Sequence, residues 1–98
     1  MKVVWTASAL RDRDEIGAYI AQENPTAAIR LDQSFEAAGK RLERFPLAGR
    51  PGVTHETREL IPHPSYRIVY GISNQELLIL RVVHTSRLWP PVKDDGSA

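Results

Sequence analysis

A chain of 98 residues with 42% hydrophobic and 26% charged residues has the size and composition of one folded domain, which excludes a second domain and general disorder. Thirteen Lys and Arg against twelve Asp and Glu give a net charge of +1, and so small a charge gives little support to binding of nucleic acid by electrostatic attraction alone. The absence of cysteine excludes disulfides and thiol chemistry, and the lack of a signal-peptide core or of about 18 consecutive apolar residues predicts a cytoplasmic protein that enters no membrane.

The first elements predicted are a short strand and a helix. Residues 3–5 are β-branched or aromatic, and Thr6 and Ser8 are suitable N-caps for a helix over about residues 8–22. The inward stripe of that helix is formed by Ala9, Ile16 and Ile20, and Arg13 falls in the same stripe. An arginine that snorkels at the stripe's edge is favoured over a functional one.

A second helix begins at Asn24-Pro25, because Asn caps well and Pro is preorganised for the first helical turn. Its apolar positions follow one another in steps of three and four, and Pro46 ends it. These positions are Ala28, Leu31, Phe35, Ala38, Leu42 and Phe45. The short link predicts an antiparallel helical hairpin, and the basic residues Lys40, Arg41 and Arg44 favour a solvated helix end over a binding site.

The loop LAGRPGVTH separates this helical half from a β half. Strands are predicted over residues 57–61, 66–72 and 76–84, and the links HPS and SNQ are short enough for hairpins. The sequence therefore predicts an α+β fold of order β-α-α-β-β-β, with an antiparallel four-stranded sheet and the helical hairpin packed on one face. Residues 1–92 would form the domain and residues 93–98 a flexible tail.

The last strand is apolar on both faces. Leu78, Leu80 and Val82 alternate with Leu77, Ile79 and Val83, as in a strand that is covered on both sides. The helical hairpin can cover only one side, so an apolar face is left over. A dedicated protein partner on that face is favoured over a homodimer or aggregation.

The charged residues around the sheet leave two interpretations open. Arginines 58, 67, 81 and 87 could form internal ion pairs with Glu56, Glu59 or Glu76 that fix strand register. Alternatively, Arg67, Arg81 and Arg87 could hold a scissile RNA phosphate while His84 moves a proton, which makes these four the candidate catalytic residues. The three histidines, at 55, 63 and 84, lack metal-ligand spacing, and no Gly-rich phosphate loop is present, so we predict no metal and no cofactor.

Several segments together resemble the RelE/ParE superfamily, the toxin half of bacterial type II toxin-antitoxin modules for plasmid stabilisation. They are VVWTASAL, RDEIGAYIAQENPTAA, FPLAGRPG, TREL, YRIVYGI and ILRVVHTSRLWP, and they extend from residue 2 to about residue 90. The resemblance implies the same β-α-α-β-β-β fold. It also implies that the uncovered sheet face receives the C-terminal segment of a cognate antitoxin, a DNA-binding protein, in a hetero-oligomer.

The resemblance does not choose the target, because RelE-like members cleave mRNA on the ribosome and ParE-like members poison DNA gyrase. Arg67 matches an arginine position of some ribosome-dependent relatives, whereas the ending H-x-x-R-x-W-P and the near-neutral charge resemble ParE-like toxins more closely. We therefore expect a ParE-like gyrase inhibitor, with a ribosome-dependent endoribonuclease and a non-toxic binding module of the same fold as alternatives. The residues expected at the partner surface are Arg58, Arg67, Leu78, Leu80, Val82, His84, Arg87 and Trp89.

Overall fold

Two helices and five strands follow one another in the computed structural model, which describes residues 1–86. In chain order they are β1 (Lys2–Trp5), α1 (Ala7–Ala21), α2 (Pro25–Arg44), β2 (Arg50–Pro51), β3 (Thr57–His63), β4 (Tyr66–Ser73) and β5 (Glu76–His84). The strands form one sheet in the order β1-β5-β4-β3-β2. The predicted order of elements is confirmed, with the two-residue strand β2 added inside the segment that was expected to be a loop.

The two helices begin at the caps that the sequence indicates. The Thr6 hydroxyl accepts the amide of Ala9 at 3.2 Å, and the Asn24 side-chain oxygen accepts the amide of Ala27 at 3.0 Å. Helix α1 lies one residue earlier than predicted, and α2 ends one residue before Phe45. The predicted stripe of α2 from Ala28 to Leu42 is buried, and the helices pack on one face of the sheet.

The sheet is mixed, so the prediction of a wholly antiparallel sheet is wrong at β1. Strand β1 pairs in parallel with the first four residues of β5, because the chain crosses from β1 over the helices before it returns to the sheet. The other pairs are antiparallel. Strand β2 is an edge strand, which is where a proline such as Pro51 can be accommodated.

A β-bulge in β5 changes which residues face the helices. Ile79 pairs with Tyr70, but Arg81 pairs with Val69, so β5 has one residue more than β4 between the two pairs. Leu77 and Ile79 belong to the core cluster beneath the helices, and after the bulge it is Val82 that does so. The expectation that Val82 shares an uncovered face with Leu78 is therefore wrong.

The far face is the sheet face away from the helices, and it carries Leu78, Val69, Arg67 and Val83. This placement follows from strand alternation, because Ile68, Tyr70 and Val82 are part of the core cluster on the other face. Val69 and Val83 are nevertheless buried, while Leu78 and Leu80 are half-buried. The far face is thus not the open apolar surface that we predicted along the whole of β5. Among residues 1–86, neither helix is both long and apolar enough to cross a bilayer.

Candidate functional site

Arg81 is fixed to α1 by a carboxylate that the sequence does not single out. Its Nε and Nη2 donate hydrogen bonds of 2.7 and 3.0 Å to the two oxygens of Asp12, and the backbone N–H of Val82 donates to Asp12 at 2.9 Å. These hydrogen bonds raise the pKa of Arg81 above its ordinary value, against the opposing effect of partial burial. Asp12 thus links α1 to the bulged part of β5.

Arg67 lies on the far face beside a second buried carboxylate. Its Nη1 is 3.4 Å from Oε1 of Glu59 on the neighbouring strand, and Nη2 of Arg50 is 3.8 Å from the same oxygen. The Glu59 side chain is only 2% exposed, and its second oxygen, Oε2, accepts no hydrogen bond from the residues that the structure describes. Arg67 therefore pairs with Glu59, one of the glutamates expected from the sequence, whereas Arg81 pairs with Asp12, which was not among the expected partners.

Arg58 faces the helices, not the far face. It pairs with Tyr70 in the sheet, and its Nη1 donates a 2.7 Å hydrogen bond to the carbonyl of Gly49. The Tyr70 hydroxyl donates to the carbonyl of Pro46 at 2.8 Å and accepts the amide of Gly49 at 2.9 Å. Arg58 therefore holds the segment between α2 and β2 and is separated from Arg67.

His84 lies in a row of rings at one end of the sheet. Tyr66 pairs with His63 on one side and with His84 on the other, and its ring is 6.0 Å and 5.2 Å from theirs. The ring of Phe35 on α2 lies edge-on to Tyr66 at 5.8 Å. This row therefore belongs to the helix side of the sheet.

Both histidines of the row use Nδ1 as an acceptor. The amide of Ser65 donates to Nδ1 of His63 at 3.0 Å, and the amide of Ser86 donates to Nδ1 of His84 at the same distance. The Ser86 hydroxyl lies 2.7 Å from the same nitrogen of His84. Because an amide N–H can only donate, the proton of each neutral ring is on Nε2, and neither ring offers a free basic nitrogen in this state.

The structure does not bring the candidate catalytic residues together. Arg67 points to the far face, whereas His84 lies beside Tyr66 on the helix side, so the sheet separates the proposed phosphate ligand from the proposed proton carrier. Arg81 is bound to Asp12. Arg87 and Trp89, like the predicted tail, lie outside the described residues. Residues 1–86 contain no group of three or more His, Asp or Glu side chains able to hold a metal ion.

Sequence reasoning missed Asp12 and the two tyrosines of β4. Asp12 stands between charged neighbours in the sequence and reads as one more polar helix residue, although it is 8% exposed. Its position four residues before the half-buried stripe residue Ile16 was the available signal, since it puts the carboxylate close to the core face. The sequence identifies Tyr70 and Tyr66 only as residues that favour strands. It contains no local signal for the loop that Tyr70 binds or for the rings that Tyr66 contacts.

Comparison with known proteins gives consistent matches over nearly the whole chain. A sequence model described as the ParE toxin of type II toxin-antitoxin system, parDE, matches residues 3–89. Y4kP of Sinorhizobium fredii, a protein named as a toxin, is 42% identical over 92 residues, which cover 93% of this chain and 95% of the relative. Toxin RelE2 of Caulobacter vibrioides is 38% identical over 87 residues, which cover 89% and 98%.

The fold agrees with the same assignment. A chain in the structure of the chromosomal ParDE TA system from P. aeruginosa superposes with a TM-score of 0.77 at 25% sequence identity, covering 86% of this chain and 95% of that one. The chain belongs to the family of ParE toxins of type II toxin-antitoxin systems.

Proposed function

We propose that this toxin acts by binding DNA gyrase and stabilising its cleaved-DNA intermediate, without cutting nucleic acid itself. The observation that carries the proposal is the separation of Arg67 from His84 by the sheet, together with the commitment of Nδ1 of His84 to the amide of Ser86. General acid–base catalysis on RNA needs a proton carrier within hydrogen-bond reach of a phosphate that an arginine holds. A binding toxin needs only a surface, and in the cytoplasm gyrase would be accessible to it.

The neutralising partner in this proposal is a DNA-binding antitoxin whose C-terminal segment docks on the far face and forms a hetero-oligomer with the toxin. Support comes from the P. aeruginosa structure, which is titled as a ParDE TA system. The half-buried side chains of Leu78 and Leu80 are the part of the predicted surface that remains available for such a contact, because Val82 lies in the core and Val83 is buried.

The test is a supercoiling reaction with purified toxin, gyrase, ATP and relaxed plasmid. We expect supercoiling to be inhibited and linear DNA to be released when detergent and protease are added. A parallel reaction without gyrase controls for nuclease activity and should contain no linear DNA. Normal supercoiling with no linear product, at toxin concentrations that arrest growth, would reject gyrase as the target.

A second candidate function is mRNA cleavage on the ribosome, which is favoured by the 38% identity to a protein named Toxin RelE2. It predicts mRNA truncated at A-site codons in a translating extract and a large loss of cutting in Arg67→Ala. Cutting that survives Arg67→Ala would count against it. The remaining alternative, a non-toxic binding module, predicts that expression without an antitoxin leaves growth unchanged.

A further inference from the structure

Residues 45–49, here called the anchor loop, connect α2 to β2 and hold two large apolar side chains in solvent. Phe45 is 57% exposed and Leu47 is 64% exposed, although they are separated by only one residue. Single apolar residues on a surface are ordinary, but two large ones two positions apart on the same short loop concentrate apolar surface in one place. Apolar side chains concentrated in this way mark a candidate contact site for another protein.

The anchor loop is held in place by several hydrogen bonds from the sheet. The buried hydroxyl of Tyr70 joins the Pro46 carbonyl to the Gly49 amide, and Arg58 donates to the Gly49 carbonyl. Inside the loop, the amide of Ala48 donates to the carbonyl of Phe45 at 3.0 Å. A Cβ atom at Gly49 would lie 2.7 Å from the Tyr70 hydroxyl oxygen, so only glycine permits this close packing.

This fixation matters for binding. A flexible loop loses conformational freedom when it docks, whereas a loop already ordered by Tyr70 and Arg58 loses little. Phe45 and Leu47 are therefore presented in a defined arrangement, which is the property of the aromatic and aliphatic anchors that dominate protein interfaces.

The surroundings of the two anchors are basic. Lys40, Arg41 and Arg44 are all exposed, and the exposed acidic residue of the same segment is Glu43. The guanidinium of Arg44 lies 5.7 Å from the centre of the Phe45 ring. The positive charge is local, since the whole chain carries only +1. It favours a partner surface rich in carboxylates.

We propose that the anchor loop and its basic rim form a second docking surface, which inserts Phe45 and Leu47 into an apolar pocket rimmed by carboxylates on gyrase. This assignment rests on the proposed function, because it names the surface through which the toxin contacts its target. The loop is fastened to Tyr70, which faces the helices, so it lies on a different side of the sheet from the far face proposed for the antitoxin. Two exposed apolar anchors and a low net charge fit a protein partner better than a DNA backbone.

The experiment compares loop variants with matched controls elsewhere on α2. The variants are the double change Phe45→Ala with Leu47→Ala, and the charge reversal Arg44→Glu. The controls are Ile29→Ala and Arg30→Glu, which alter an exposed apolar residue and an exposed arginine near the start of the same helix. Thermal unfolding and binding to the purified antitoxin are measured first, and neither should change, because the altered side chains lie outside the core and the far face.

Affinity for gyrase is then measured with full-length purified toxin, together with growth arrest on induction in cells. We expect the two loop variants to lose affinity by about tenfold or more and to lose toxicity, while the two controls keep both. Loop variants that bind gyrase as tightly as the wild type would overturn the proposal. So would tight, salt-sensitive binding of the wild-type toxin to duplex DNA alone that the loop variants lose, because the surface would then be a DNA contact.

The two proposals fail in different ways. If the wild-type toxin neither binds nor inhibits gyrase, the gyrase proposal fails whatever the loop variants do. If it does inhibit gyrase and the loop variants inhibit equally well, the function stands and the docking surface is rejected.

Discussion

Two arginine–carboxylate pairs on adjacent strands of the sheet differ in geometry. Arg81 donates two short hydrogen bonds, of 2.7 and 3.0 Å, to Asp12, which also accepts the Val82 amide. Arg67 approaches Glu59 at 3.4 Å, and Oε2 of Glu59 accepts no hydrogen bond from residues 1–86. Both oxygens of Asp12 accept hydrogen bonds, whereas only one oxygen of Glu59 does so within the described part of the chain, although both carboxylates are buried.

The difference follows from where each carboxylate lies in the sheet. Strand β1 ends at Trp5, so the outer edge of β5 beyond Ile79 has no strand among residues 1–86 to pair with, and Asp12 supplies the acceptor that a neighbouring strand would have provided. Glu59 lies inside the sheet, between β2 and β4, where backbone pairing is already complete. The Asp12 pair therefore serves the fold, whereas the Glu59 pair is incompletely hydrogen-bonded and lies on the face proposed for the antitoxin.

The largest effect is expected from Asp12→Ala. This change leaves the Arg81 guanidinium and the buried Val82 amide without their acceptor, and we expect it to lower the free energy of unfolding by about 3 kcal/mol. Urea denaturation followed by circular dichroism measures this difference.

Two further variants test the physical reason. Asp12→Asn keeps one oxygen for the Val82 amide and should lose about half as much stability. Asp14→Ala removes an exposed carboxylate from the same helix and should change the free energy of unfolding by less than about 0.5 kcal/mol. Equal effects of Asp12→Ala and Asp14→Ala would contradict the assigned role of Asp12.

A smaller effect is expected from Glu59→Gln. The exchange removes the charge that Arg67 and Arg50 face, but it retains the shape of the side chain and provides a donor within a sheet whose backbone is already paired. We expect the free energy of unfolding to fall by about 1 kcal/mol. The attraction that is lost acts over 3.4 Å or more, and its loss is partly offset because the carboxylate charge is no longer buried. A loss as large as that of Asp12→Ala would show that the two pairs are equivalent and would remove the contrast between them.

Regular features of the sequence predicted the helices and the three long strands, because each depends on local residues. The caps Thr6 and Asn24 and the three-and-four spacing of α2 act within a few residues of the chain. The two-residue strand β2 could not be predicted, since its pairing with β3 depends on tertiary contacts of the loop. The parallel pairing of β1 depends on the path of the whole chain.

The bulge of β5 explains why the candidate site was only partly predicted. Leu77 to Val83 is apolar on both faces except at Arg81, so an inserted residue leaves no gap in the pattern. Unbroken alternation would have placed His84 on the same face as Leu78 and hence on the side of Arg67. The extra residue moves His84 to the helix side, so the two predicted catalytic residues His84 and Arg67 lie on opposite faces of the sheet. Glu59 was among the partners foreseen for Arg67, but Asp12, the partner of Arg81, was not foreseen, because its role depends on where β1 ends.

The smallest effect is expected in the pH dependence of the Arg81 pair. The hydrogen bonds that Arg81 donates to Asp12 raise the pKa of the arginine in the folded state above its ordinary value, which is already the highest among the ionisable side chains. A raised pKa gives stability that is complete below the unfolded-state pKa and is lost only as the pH rises through the folded-state pKa. The stability difference between wild type and Arg81→Met should therefore be constant between about pH 6 and pH 10. Because the histidines are common to both proteins, their titration cancels in that difference. A difference that shrinks by more than about 0.5 kcal/mol on the alkaline side of this range would show that the partner of Asp12 loses its proton there, and the pair could not be the permanent link between α1 and β5 that its geometry indicates.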